Sequence, residues 1–284
     1  MVVATLNRAR EMEVLLRSLA AQKRNDFEVI VVDQNSDDRL APILDAWKDE
    51  LEIVRVRAEN RGLCRARNAG AAHARGQWIL FPDDDCWYPD DFLAHLDRLK
   101  VEHSADFYSG RSVNADGKTI MGTFQNTAKP IGQDAIWTTL IEWVMIIRRS
   151  AFEEVGGFDG EIGLGAGTPW GAYEAQDLAL KLMGAGYKGY YDPTLVGHHP
   201  DDRSDRTSPA NIAKIRAYSV GMGYVMRRHG YSFFSYVPRL LRPLAGVAIY
   251  TLSGRPALAK RSWEIFSGRW SGWKSAPAPA SGRI

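Results

Sequence analysis

The first 81 residues alternate between two hydrophobic periods, and that alternation leaves few folds open. Short apolar or β-branched runs at 2–5, 27–33, 53–57 and 78–81 are separated by helical patterns at 10–22, 40–48 and 63–74. This order predicts a mostly parallel, Rossmann-like α/β sheet flanked by helices. In open sheets of that kind ligands gather outside the carboxyl ends of the strands, so Thr5, Asp33, Asp83, Asp84 and Asp85 are expected along one crevice. No GxGxxG and no Walker A pattern occurs in the chain, which argues against a dinucleotide-binding protein and a P-loop NTPase.

The fourth apolar run, Trp78-Ile79-Leu80-Phe81, stops at Pro82-Asp83-Asp84-Asp85. Adjacent ionised carboxylates raise one another's pKa, so a cluster of them at a strand end is stabilised by a divalent cation. Oxygen ligands favour Mg2+ or Mn2+, ions that commonly neutralise phosphate oxygens. A solvated turn feeding the helix start at Tyr88-Pro89-Asp90-Asp91 explains the same residues without a metal. Asn60, Arg61, Gly62, Arg65, Arg67 and Asn68 surround the start of the third helix, where free N–H groups beside guanidinium groups suit a pyrophosphate. Arg65 and Arg67 fit the exposed face of an ordinary helix equally well.

Beyond residue 106 the alternation changes. Asp116-Gly117 marks a hairpin turn, and 143–149 reads as a buried strand. A glycine-rich loop, from Gly163 to Gly171, is flexible enough to close over a ligand. It leads into a helix start at which Glu174 and Asp177 share a face, although acids in a first helical turn also serve the helix dipole.

The composition, 45% hydrophobic and 25% charged over 284 residues, suits one large domain or a domain with an appendage. Cys64 and Cys86 are too few for a disulfide framework and imply reduced thiols in the cytoplasm. Met1-Val2-Val3-Ala4-Thr5-Leu6 lacks a basic leader and a cleavage site, so it reads as a strand with almost no lead-in. The formal charge of +2 hides an asymmetry: from Arg227 to Ile284 there are ten basic residues against Glu264 alone, a net +9 that leaves the remainder at −7. Interleaved with aromatics and the apolar run from Leu244 to Leu252, this tail fits an anionic membrane surface. The run is short of a span of about 20 residues and would lie in the interface or pack on the body. Nucleic acid is excluded as a partner by the acidic body and the lack of any nucleic-acid motif.

Taken together, these motifs resemble those of the inverting family 2 glycosyltransferases with the GT-A fold, in order from Thr5 to about His199. Thr5-Leu6-Asn7-Arg8 matches the first-strand motif, Asp33 the acid that contacts the nucleotide base, and 60–70 the Asn-x-Gly-x-x-x-Ala-Arg-Asn-x-Gly element. Asp83-Asp84-Asp85 falls on the family's DxD motif. The resemblance implies Asp85 as a metal ligand, with Asp83 and Asp84 on the donor side. Val155-Gly156-Gly157-Phe158-Asp159 matches a Gly-Gly-Phe-Asp turn. His199, with His198 as the alternative, matches the histidine that completes the metal site. Where the family carries Glu-Asp-x-Asp-Leu, this chain has Glu174-Ala175-Gln176-Asp177-Leu178. The usual base position is therefore Ala175, and the resemblance leaves Glu174, preferred for its reach, or Asp177 as the base.

The function so implied is metal-dependent transfer of a sugar from a UDP-, TDP- or GDP-linked donor to an acceptor hydroxyl, in cell-surface glycan or polysaccharide synthesis. Thr5, Asn7, Arg8, Asp33, Asn60, Gly62, Arg65, Asn68, Asp83 and Asp84 would bind the donor, and Trp170 and Tyr173 would lie on the acceptor side. The acceptor would be a glycan or a lipid-linked one. A GT-A domain over 1–205 and a basic amphipathic helical extension over 206–284 are expected, the latter peripheral on the inner face of the cell membrane. Ala175 keeps a catalytically inactive nucleotide-sugar-binding or scaffold protein as the alternative.

Overall fold

The computed structural model describes residues 1–24, 26–59, 61–201 and 205–277. Asn60, expected at the donor site, and Arg283 of the basic tail lie outside them. The chain forms two compact units. The first comprises Met1–Phe158 and Leu178–Asp201; the second comprises Asp159–Asp177 and the described part of Asp202–Ile284.

In the first unit, β1 (Val2–Thr5), β2 (Glu28–Asp33) and β3 (Glu52–Arg57) form a parallel sheet, connected by α1 (Arg10–Ala20) and α2 (Ala41–Trp47). The register pairs Thr5 with Asp33 and Asp33 with Arg57, so polar residues line up along the carboxyl edge. Next, α3 (Leu63–Ala71) lies so close to the sheet that a Cβ on Gly70 would sit 2.4 Å from Val2 Cγ1 and 2.6 Å from Val32 Cγ2. Only glycine allows that approach. β4 (Trp78–Leu80) ends just before the acidic triplet, and a parallel bridge between Ala4 and Asp83 joins the two sheets.

The second sheet has the order β4-β7-β5-β8-β6, where β5 is Phe107–Val113, β6 Lys129–Ile131, β7 Ile146–Arg148 and β8 Gly189–His198. β5 and β8 pair in parallel, whereas β7 and β6 run antiparallel to their neighbours. The strand expected at 143–149 begins only at Ile146, because Glu142–Val144 forms a 3-10 turn that buries Trp143. Asp116-Gly117 makes the expected turn, with Asn114 N–H donating to Lys118 O and Gly117 at φ 73°. α4 (Phe92–Glu102) packs its apolar face, Phe92, Leu96 and Leu99, into the same core as Leu15, Leu19 and Val31. α5 (Arg149–Glu154) follows β7, and α6 (Glu174–Gly184) carries the chain across the unit boundary.

The second unit is built on α7 (Pro209–Arg228), α8 (Phe233–Leu252) and α9 (Pro256–Ser275). Ser208 and Ser232 cap α7 and α8, their hydroxyls accepting from Asn211 N–H (3.3 Å) and Ser235 N–H (3.1 Å). α7 and α9 meet through glycine: a Cβ on Gly272 would lie 1.9 Å from Val220 O. Among the described residues no helix is long and apolar enough to cross a membrane.

Candidate donor site and metal centre

The carboxyl edge of the first unit brings Asp83, Asp85 and His199 together, their ligand atoms all within 4.8 Å of one another. Asp83 and Asp85 follow β4, and His199 follows β8. His199 Nδ1 lies 2.9 Å from Pro200 O, which can only accept, so Nδ1 carries a proton. Nε2 then faces Asp85 Oδ1 at 3.1 Å. Two acceptors face each other there unless a proton or a cation lies between them, and a neutral imidazole fixed by its other nitrogen is the usual form of a histidine metal ligand. Two carboxylates and an imidazole suit Mn2+ or Mg2+.

The electrostatics of the triplet differ residue by residue. Burial pushes the Asp83 carboxyl up to about 7, against Arg67, whose Nη2 donates to Asp83 Oδ1 at 2.7 Å. Burial also raises Asp84, opposed by the Thr5 hydroxyl and by Arg8. For Asp85 burial acts in the same sense but is outweighed by His199 and Arg8, so this carboxylate is held below its ordinary value. Arg8 Nη1 bridges the pair, 2.7 Å from Asp84 Oδ1 and 2.5 Å from Asp85 Oδ2. Asn7, beside it, sits at φ 61° and donates its N–H to Asn35 Oδ1 at 2.6 Å.

Other expected donor-site residues are committed to neighbours in the fold. Asp33 is fully buried; Oδ1 accepts from Asn35 N–H (2.9 Å) and Nδ2 (2.8 Å), and Oδ2 from Arg55 Nη2 (2.6 Å). Asn68 clamps the backbone of Phe158, its Oδ1 accepting at 2.9 Å and its Nδ2 donating at 2.8 Å. That clamp secures the turn at Gly156 and Gly157, both with positive φ. Gly62, at φ 127°, precedes α3, and Arg65 Nη1 lies 3.4 Å from Arg61 O. Arg67, expected beside a pyrophosphate or on an exposed helix face, takes a different place. It belongs to the buried face of α3 rather than the exposed one, its side chain is fully buried, and its guanidinium lies 5.6 Å from the Phe158 ring centre. Its signal is its spacing, three residues from both Cys64 and Gly70 on the apolar face.

In the second unit Trp170 stacks on Tyr224 with ring centres 3.8 Å apart, and Tyr173 enters α6 at φ 80°. Glu174 and Asp177 are both buried, as is Ala175. Asp177 Oδ1 lies 2.7 Å from His229 Nε2, and its Oδ2 is buried with no hydrogen-bond partner. Arg228 pairs with Asp159 on the same side. Neither His229 nor Arg228 carried a sequence signal beyond membership of a basic tail.

A family model described as "Glycosyl transferase family 2" matches residues 1–156. An uncharacterized glycosyltransferase of Haemophilus influenzae is 36% identical over 191 residues, 64% of this chain and 60% of that protein. The chain thus spans under two thirds of the length of this curated relative. Among solved structures, the mannosyltransferase PcManGT from Pyrobaculum calidifontis, in complex with GDP-Man and Mn2+, superposes with a TM-score of 0.66 at 19% identity, covering 95% of this chain and 84% of that one. TarS 1-349 of S. aureus, in complex with UDP-GlcNAc, gives 0.57 at 17% identity, covering 97% and 91%. At these identities the structural likenesses establish the fold, an α/β GT-A-like one.

Proposed function

Because the chain belongs to glycosyl transferase family 2, we propose that it moves a sugar from a UDP-, TDP- or GDP-linked donor to an acceptor hydroxyl, with inversion at the anomeric carbon. The observation that carries this reading is the convergence of Asp83, Asp85 and His199 at the carboxyl edge of the first unit. Asp85 and His199 would hold a Mn2+ or Mg2+ ion, which supplies charge neutralisation of the departing diphosphate. Arg8 keeps the Asp84 and Asp85 carboxylates in place. Thr5, Asn7, Gly62 and Arg65 would bind the donor, and Trp170 and Tyr173 would bind the acceptor. Glu174 serves as general base, taking the proton from the attacking hydroxyl as the bond to the anomeric carbon forms and the bond to the diphosphate breaks. Asp177, paired with His229, is the second candidate. The acceptor is a glycan or a lipid-linked glycan of cell-surface polysaccharide synthesis, met at the inner face of the membrane; the basic tail supports that placement.

Ala175 at the usual base position favours a second reading, a nucleotide-sugar-binding protein without turnover. Incubation with a panel of nucleotide sugars, Mn2+ and candidate acceptors separates the two. Release of free nucleoside diphosphate with a product of opposite anomeric configuration by proton NMR, abolished in Glu174→Gln, supports transfer. Donor binding without release under any acceptor supports the second reading.

A further inference from the structure

The outer face of α8 is apolar from end to end. Phe234, Leu241, Leu244, Ile249 and Leu252 recur at helical spacing and are exposed, Phe234 by 87% and Leu252 by 88%. With 3.6 residues per turn they form one stripe along a 20-residue helix, about 30 Å long. Its two edges differ in chemistry. Phe233 on one edge meets Trp270 of α9 edge-on, ring centres 6.2 Å apart, and Trp270 and Trp263 are themselves 40% and 50% exposed. On the other edge Arg242 and Arg239 lie one turn apart, and Arg269 Nη1 donates to Arg239 O. Burial lowers the pKa of Arg269 and the neighbouring Arg239 and Arg242 lower it further, while the groups that oppose them are the phenols of Tyr173 and Tyr236 rather than carboxylates. The Nε of Arg269 is buried with no hydrogen-bond partner. Glu264, the one acid between Arg227 and Ile284, is taken by Arg216 at 2.5 Å.

An exposed apolar stripe of this length calls for a covering surface, and its rim selects the partner. A second copy packed antiparallel would bring two arginine rims together. A surface of phosphates matches both stripe and rim, and with no helix among the described residues able to span a bilayer α8 would lie in its plane. We propose that the outer face of α8 docks on an anionic phospholipid bilayer, the stripe immersed at the headgroup–acyl boundary and Arg242 and Arg239 set against lipid phosphates. Tryptophans at the opposite edge are suited to the same boundary. This deepens the membrane-proximal part of the reading above and rests on it only for its use; vesicle binding by the second unit and donor binding by the first are measured separately.

The test is flotation of the full chain with vesicles of phosphatidylcholine alone and of phosphatidylcholine with phosphatidylglycerol, at physiological salt. The wild type is expected to float with the anionic vesicles only. Arg242→Glu should weaken binding at least about fivefold, and the double variant Leu241→Glu/Ile249→Glu should abolish it, both keeping the wild-type circular dichroism and donor affinity. The proposal is overturned if the wild type floats with neither vesicle or with both equally. It is also overturned if the double variant instead dissociates a wild-type dimer while vesicle binding persists.

Discussion

Replacing Arg67 by methionine removes a guanidinium whose side chain is 0% exposed and whose Nη2 lies 2.7 Å from Asp83 Oδ1. Methionine fills most of the volume, so the loss is electrostatic rather than a cavity. What remains is Asp83, 23% exposed, with a carboxyl that burial already pushes up to about 7 while Arg67 is present. Breaking one side of a buried ion pair costs about 3–5 kcal/mol, and the partial exposure of Asp83 places the expectation near the lower end. At about 2–4 °C per kcal/mol for a domain of this size, the melting temperature should fall by roughly 6–12 °C. Asp83→Asn should cost at least as much, because it leaves the fully buried Arg67 guanidinium, which cannot shed its charge, without its carboxylate. Thermal unfolding with chelator at pH 7 of the wild type, both single variants and the double variant gives the coupling directly. A double variant less destabilised than the sum of the singles, by about 1–3 kcal/mol, is the predicted result. An Arg67→Met protein within about 0.5 kcal/mol of wild type, a shift no larger than that of an ordinary surface substitution, refutes the argument that this pair braces the donor edge.

Gly70→Ala should lower stability by up to about 2 kcal/mol in urea titration: overpacking against Val2 and Val32 costs about 1–3 kcal/mol, set against a helix gain of about 1 kcal/mol. A more stable variant would mean that α3 yields. Asp33 is held below the ordinary carboxylate value because Arg55 and Asn35 outweigh burial. Its stabilisation is therefore complete above the unfolded carboxylate pKa of about 3.9 and is lost as pH falls through the lower folded value. The destabilisation of Asp33→Asn should accordingly be full at pH 7 and shrink below pH 4; a pH-independent difference would contradict this. Glu174→Gln should reduce turnover at least about 100-fold with little change in donor affinity, whereas Asp177→Asn should lower the melting temperature by disturbing the His229 pair. The reverse pattern would move the base to Asp177.

The first half of the fold was legible because each element there carries its own period. β1 falls on the expected residues, and β2, β3 and β4 within a residue at either end, since a β-branched run between helical patterns has few alternatives. β6 escaped because three residues around Pro130 carry no periodic signal. The acidic triplet was legible as chemistry, because carboxylates at a strand end are costly without a partner cation, whereas His199 was reached only through the family resemblance. The internal commitments of the site were not. Asp33 and Asn68 look like free ligand contacts in sequence, and only the fold supplies Arg55 and the Phe158 backbone as their partners. Residues 159–177 belong with the C-terminal helices in one compact unit, a long-range association that local pattern does not encode.

The most direct measurement is calorimetry of UDP, TDP and GDP and their common sugars with Mn2+, on the wild type and on Asp85→Ala. The account predicts metal-dependent binding of one nucleotide family, absent in Asp85→Ala and absent in the wild type with chelator. Metal-independent binding, or equal affinity in Asp85→Ala, would contradict the assignment of Asp85 and His199 as the centre of the donor site.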